Sequence, residues 1–331
     1  MRDLRGCQPT GREALLKSHC NSSHKKERVG LLDPSTSVSE RKLPVKEARN
    51  HICWIRMKLA TMIVAGSAAL GAANAARNRP PLPFNDPDFS PSYTTPVMYI
   101  HGVTSRARAF RPNAERLRDE GFWVWGADYG DMLAPGFYGM GNLDSIIEDV
   151  HANVDHVLEQ TGAAKLDIVA HSQGGLMTKL FIANGGAPKV RRVVAMGANF
   201  HGTDVRGRAP RFAPFITRHP RAASALASPG VIQQLADSPW VRTRLSVPDT
   251  VPGIVYTSLY SPADVLVTPN ATSMLAAVDG ADVVNINVAD AYDGYAPRHA
   301  LMERDPVFTE LTLWGLTRKR GEHTPPRIPW A

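Results

Sequence analysis

The chain has 331 residues, with 38 Lys+Arg against 31 Asp+Glu and a formal net charge of +7 at pH 7. The whole excess sits in residues 1–75, which hold 13 basic and 6 acidic residues; residues 76–331 balance at 25 of each, so the charge gives no support to a nucleic-acid partner. Cys7, Cys20 and Cys53 are the three cysteines of the chain, which excludes an internal disulfide, a thiolate metal site and a cysteine nucleophile from residues 76–331.

Residues 1–50 are polar, without aromatics and without a helical or strand period. They read, with the residues up to 56, as a non-native or disordered extension, and Met57 reads as the better start. After it, Lys58 supplies a positive n-region and Leu59 to Ala73 an uncharged apolar run. Ala73-Asn74-Ala75 has the small-x-small cleavage pattern, so residues 57–75 are expected to be a secretory signal peptide. An uncleaved signal anchor holding the protein to a membrane is the alternative, although the run is short for a span of about twenty residues. The protein is therefore expected to be secreted or extracytoplasmic, with residues 76–331 as one catalytic domain.

Residues 76–95 read as an irregular proline-rich arm. Pro96 to Ile100 is an apolar strand, and residues 111–120 a helix with Pro112 at its start and Gly121 as its stop. Phe122 to Trp125 is the next strand. Residues 128–141 are rich in glycine and aromatics and read as a loop. Leu143, Ile146, Ile147, Val150, Val154, Val157 and Leu158 make a helical stripe over residues 143–160. The strand Leu166–Ala170 leads into a helix over 174–184. Further strands are expected at Val190–Met196, Gly253–Thr257 and Asp282–Val288, with a closing helix at 306–317 and a mobile basic tail over 318–331. Apolar strands alternating with amphipathic helices imply a mostly parallel sheet with helices on both faces.

The chemistry is expected at the strand-to-helix turns. Ala170-His171-Ser172-Gln173-Gly174-Gly175 has a strand before it and a helix after it, the setting of a nucleophile elbow that exposes a serine hydroxyl above the sheet. Small residues at Ala170 and Gly174 let the two backbones approach. An acyl-transfer serine needs an oxyanion hole. Gln173, after the nucleophile, and Val103, in the loop His101-Gly102-Val103-Thr104, are the expected backbone N–H donors. Each such donor is worth about 3–4 kcal/mol in the transition state. His101 is expected to order that loop.

With the order serine, acid, histidine, His299 is the expected base. His201 comes too early, His219 lies in an insert and His323 in the tail. Asp264 is the expected acid, with Asp290 and Asp293 as rivals. Residues 204–250 form a long insert, read either as a cap lining an acyl pocket or as a surface subdomain with its own core. Phe137 and Tyr138 are a second candidate border of the site. Arg206, Arg208, Arg211, Arg218 and Arg221 are either a solvated face or a contact for anionic lipid.

The segment from Pro96 to Phe308 resembles the lipase class 2 family, secreted bacterial triacylglycerol lipases and esterases of the α/β-hydrolase fold. The residues that carry the resemblance are His101-Gly102, Asp128-Tyr129-Gly130, Ala170 to Gly175, His201-Gly202-Thr203, Asp264 with Val267-Thr268-Pro269, and Arg298-His299. Ala170 stands where most members have glycine. The resemblance implies an α/β-hydrolase fold with Ser172, Asp264 and His299 as the triad. It implies a secreted lipase or carboxylesterase acting on an ester or lipid substrate, with a lipid–water interface as one setting. The mechanism asks for no cofactor and no metal, and no obligate protein partner is evident. The alternatives are an acyltransferase using the same triad, and a non-catalytic binding protein on the same fold.

Overall fold

The computed structural model describes residues 83–130 and 138–330. The expected signal peptide, extension and Phe137 lie outside those residues.

Six parallel strands form one sheet: β1 (Tyr93–Ile100), β2 (Phe122–Gly126), β3 (Leu166–His171), β4 (Val190–Met196), β5 (Val255–Tyr260) and β6 (Asp282–Asn287), in the order β2-β1-β3-β4-β5-β6. The helices that connect or cover them are α1 (Arg111–Asp119), α2 (Leu143–Thr161), α3 (Gln173–Phe181), α4 (Ala209–Arg218), α5 (Pro220–Ala227) and α6 (Pro306–Thr317).

Both faces of the sheet are apolar, because side chains alternate along a strand. In β1, Met98 and Ile100 join Ile168, Ala170 and Val193 under α2 and α3, where Ile146, Val150, Val154, Leu176 and Leu180 complete a core. Val97 and Tyr99 point the other way, to Val169, Val194 and Met196 under α1 and α6, where Leu117, Phe308 and Leu311 are buried. Each such aliphatic or aromatic side chain, fully buried, contributes about 1.5–3 kcal/mol. This is why the strands read as unbroken apolar runs.

The chain leaves β1 for β2 on one side, then returns to place β3 on the other side of β1. Crossovers between parallel strands are right-handed, so α1 and α2 must cover opposite faces. The loops after β1 and β3 therefore part at their carboxyl ends and open a crevice at this switch point.

Local signals set the ends of the helices. The Asn142 side chain accepts from the Asp144 N–H at 2.9 Å and starts α2, and Gly162, left-handed at φ 65°, stops it. Asp305 caps α6 by accepting from the N–H groups of Val307 and Phe308. Helix α3 ends at Phe181, earlier than its apolar pattern suggests, because Asn184 and Gly185 leave helical geometry within a π turn over Ile182–Gly186. Strand β5 begins later than Gly253, whose left-handed backbone (φ 86°) belongs to a turn tied to Gly280. Strand β6 stops at Asn287, which caps a helical turn over Val288–Ala291.

The tail corrects the expectation of mobility. Arg318 is buried; its guanidinium donates to Asp282 (2.8 Å), to Thr257 Oγ1 (3.1 Å) and to the Tyr256 carbonyl (2.9 Å). Ile328 is buried in the core under α6, and the Tyr292 hydroxyl donates to the Pro326 carbonyl. A run of basic residues and prolines hides this fixation, because the acid that anchors it, Asp282, is remote in sequence.

The insert over 204–250 holds α4, α5 and two short turns, Pro229–Gln233 and Pro239–Arg244. Ile216, Ala223 and Ile232 form a small cluster of their own. Its base is tied to α2 by Leu143 N–H to Gln233 Oε1 (2.8 Å) and Trp240 Nε1–H to Asp144 Oδ1 (3.1 Å).

Candidate active site

Ser172 sits between β3 and α3 with φ 55° and ψ −127°, a left-handed conformation that a serine rarely adopts. Its N–H donates to the Met196 carbonyl at 3.0 Å, which holds the turn against the end of β4. The tightness of the turn explains Gly174. A Cβ there would lie 2.1 Å from the Ile100 carbonyl oxygen and 2.7 Å from that of His101.

The structure brings Ser172, His299 and Asp264 together from three separate loops. His299 opens a 3-10 turn, His299–Arg304, and its Nε2 lies 2.9 Å from Ser172 Oγ. Its Nδ1 lies 2.7 Å from Asp264 Oδ2. A carboxylate accepts only, so Nδ1 carries the proton and Nε2 is left to accept from the serine hydroxyl. Asp264 Oδ1 accepts from the N–H groups of Leu266 (2.8 Å) and Val267 (2.9 Å). Burial pushes the Asp264 carboxyl up, but His299 and these two N–H groups outweigh it and hold the group below its ordinary value. All three side chains are buried. Gly197, left-handed at φ 50°, lies beside the acid–base contact; a Cβ there would come within 3.2 Å of both Asp264 Oδ2 and His299 Nδ1.

Asp290 and Asp293 make no hydrogen bond to His299 among the described residues. His323 contacts Asp282, and His219 makes a tilted ring contact with Phe215. His201 orders a loop: Asp249 Oδ1 receives His201 Nε2 at 2.9 Å and Lys179 Nζ at 2.6 Å.

The loop after β1 lies against the nucleophile, since a Cβ on Gly102 would be 2.8 Å from Ser172 Cβ. The Gly102 carbonyl oxygen accepts from His101 Nδ1–H (2.8 Å) and from the Ser105 N–H (3.2 Å). A peptide unit is planar and trans, so fixing this oxygen turns the Val103 N–H the opposite way. That N–H donates to no group among the described residues. Gln173 is the first residue of α3, where N–H groups have no partner within the helix. His101 orders the loop as expected of it: Nε2 accepts from the Tyr129 N–H at 3.2 Å, its ring stacks on Tyr129, and burial pushes its pKa down. Tyr138 joins the same loop by accepting from the Thr104 N–H at 2.8 Å.

The insert approaches the elbow through Gly230. A Cβ there would lie 2.7 Å from the Gly141 carbonyl oxygen and 3.3 Å from Gln173 Nε2. Val265 (37% exposed), Leu266 (50%) and Leu301 (44%) are exposed apolar side chains within two residues of Asp264 or His299 in the chain. Sequence reasoning missed Glu303 and Ser105, which lie behind the base. The signal available was the place of Glu303 four residues after His299 on the same turn. Among the described residues, no group of three His, Cys, Asp or Glu side chains is placed to hold a metal ion.

Residues 93–247 match the family model Hydrolase_4, described as serine aminopeptidase, S33. Among solved structures, a gene product of Listeria innocua is similar at 16% identity and TM-score 0.45, covering 70% of this chain and 96% of that one. A 2-hydroxy-6-oxo-6-phenylhexa-2,4-dienoate hydrolase from Rhodococcus is similar at 15% identity and TM-score 0.44, covering 71% and 92%. A carboxylesterase from the thaumarchaeon Nitrososphaera gargenis is similar at 14% identity and TM-score 0.42, covering 70% and 91%. The parallel sheet, its switch point and the serine elbow, with the family match, make this an α/β-hydrolase fold.

Proposed function

We propose that the protein is a serine hydrolase that cleaves carboxylic esters through an acyl-enzyme, with acylglycerols as its preferred substrates. The observation that carries this reading is the continuous hydrogen-bonded chain Ser172–His299–Asp264. His299 Nε2 takes the hydroxyl proton as Ser172 Oγ attacks the ester carbonyl. The N–H groups of Val103 and Gln173 receive the negative oxygen of the tetrahedral intermediate. The intermediate collapses, the alcohol leaves with the proton from His299, and the acyl group stays on Ser172. Water then attacks the acyl-enzyme, giving its proton to His299, which returns it to Ser172 as the acid is released. Asp264 holds the ring in the correct tautomer and stabilises the imidazolium.

The acylglycerol reading is supported by the exposed apolar side chains Val265, Leu266 and Leu301, next in the chain to the proposed acid and base, and by the resemblance to lipase class 2. Export rests on the signal-peptide pattern of residues 57–75 alone, and N-terminal sequencing of protein recovered outside the cell tests it. The description of the matched family favours a second reading, hydrolysis of an amide at a peptide N-terminus. The test compares p-nitrophenyl esters of increasing chain length and an emulsified triglyceride with aminoacyl p-nitroanilides. Ester turnover that Ser172→Ala abolishes is the expected result. Ester turnover unchanged by Ser172→Ala refutes the proposal, and turnover confined to the anilides replaces it with the peptide reading.

A further inference from the structure

Three segments remote in sequence carry the parts of this site. Val103 lies on the loop after β1, Ser172 on the elbow after β3, and His299 on the 3-10 turn His299–Arg304. The triad hydrogen bonds orient side chains. They do not by themselves fix the backbone of the turn that carries the base.

Glu303 lies on that turn and is buried at 6% exposure. Its Oε1 accepts from the Ser105 hydroxyl at 2.7 Å, and Ser105 belongs to the loop after β1. The same oxygen lies 3.1 Å from Nδ1 of His171, the last residue of β3 and the neighbour of Ser172. The two atoms are not aligned as a hydrogen bond. The other ring nitrogen of His171, Nε2, lies 3.1 Å from the backbone carbonyl oxygen of His299. A carbonyl accepts only, so Nε2 carries a proton and donates. The two imidazole rings lie 4.5 Å apart.

Burial pushes the Glu303 carboxyl up, and the charge and contact of His171, with Ser105 and His101, outweigh it and hold the group below its ordinary value. The carboxylate form is thereby favoured.

We propose that Glu303 is a positioning residue: acting through His171 and Ser105, its carboxylate locks the base turn, the nucleophile elbow and the oxyanion loop into one register. The inference rests on the serine-hydrolase reading above. A buried ion pair serving stability alone would show in the melting temperature and leave the chemistry of the folded protein unchanged. A positioning role shows in kcat and in the reactivity of Ser172, with little change in KM.

The test uses the full-length protein, p-nitrophenyl ester kinetics and the rate at which a fluorophosphonate labels Ser172. Glu303→Gln keeps the shape of the side chain and an acceptor for Ser105 but removes the charge facing His171. It is expected to lower both kcat and the labelling rate about 10–100-fold, with KM within about threefold, since small displacements in a reacting geometry cost rates of this order. His171→Ala is expected to do the same. The double variant should lose little beyond either single one, because both act on the same contact. Ser105→Ala, which removes one hydroxyl and opens no large cavity, should lower both rates about fivefold, and it decides the matter if the core variants do not fold.

Wild-type kcat and labelling in folded Glu303→Gln or Ser105→Ala overturn the proposal, as do losses that multiply independently in the double variant. Failure of the wild-type protein to label at Ser172 would instead sink the serine-hydrolase reading beneath it.

Discussion

Replacing Gly102 by alanine places a methyl carbon 2.8 Å from Ser172 Cβ and 3.3 Å from the His171 carbonyl oxygen. Carbon atoms in contact sit about 3.5–4.0 Å apart, so the loop after β1 must retreat from the elbow by about 0.7–1.2 Å. Gly102 is not in the left-handed region, so the change is one of space and not of backbone preference. Overpacking of this kind costs about 1–3 kcal/mol of stability. The larger effect falls on catalysis, because the Val103 N–H moves with the loop. A displacement near 1 Å costs about a hundredfold in rate, comparable with losing an oxyanion donor. The expected result for Gly102→Ala is therefore kcat down about a hundredfold on a p-nitrophenyl ester, with KM within about threefold. Gly162→Ala is the control: nothing lies within 4 Å of a Cβ there, and the residue caps α2 at φ 65°, ahead of β3 and so at the opposite end of that strand from Ser172. It should cost about 1–2 kcal/mol in denaturation and leave kcat alone. Near-wild-type kcat in a folded Gly102→Ala protein would refute the role given to this loop.

Asp264→Asn removes the charge that stabilises the imidazolium and the acceptor that sets the tautomer of His299. It should lower kcat by about 10³–10⁴ while leaving the melting temperature close to wild type, as read by ester turnover and thermal denaturation. Arg318→Met strands Asp282 without its buried partner and should cost about 3 kcal/mol at pH 7, seen as a fall of about 6–12 °C in melting temperature. That deficit should depend on pH in a definite direction. Burial pushes Asp282 up, but Arg318, the Gly321 N–H and His323 together hold it at about 2. Its value in the unfolded chain is about 3.9. A depressed carboxyl stabilises the fold fully above the unfolded value and ceases to do so as pH falls through the folded one. The gap between wild type and Arg318→Met should be widest above about pH 5 and should narrow below pH 4; a gap that widens in acid would contradict the assignment of the pair.

Much of this fold could be read from local pattern. Strands buried on both faces announce themselves as apolar runs, and Val190–Met196 and the closing helix Pro306–Thr317 carry the bounds expected of them. The β5 boundary slipped because a left-handed glycine, Gly253, continues an apolar pattern while the backbone is still turning. The candidate nucleophile was legible because strand, tight turn and helix are all local to Ser172. The candidate base and acid, His299 and Asp264, were proposed from chain order, and the structure brings both side chains into one hydrogen-bonded chain with Ser172. Glu303, Ser105 and the Arg318–Asp282 pair were not legible. Each depends on partners brought close by the sheet, as with Ser105 and Glu303, 198 positions apart in the chain. No periodicity or motif marks such a meeting.

The conformation of Ser172 has a consequence for the history of the chain. A non-glycine residue held in a sparsely populated backbone region costs about 1–3 kcal/mol, a sizeable part of the margin by which a domain stays folded. Glycine at the same position would carry no such penalty, at the loss of the hydroxyl. A scaffold released from chemistry would gain stability by that single exchange, so an idle site is expected to drift toward it. The serine that stands there, strained and hydrogen-bonded to an imidazole, keeps its hydroxyl at that cost.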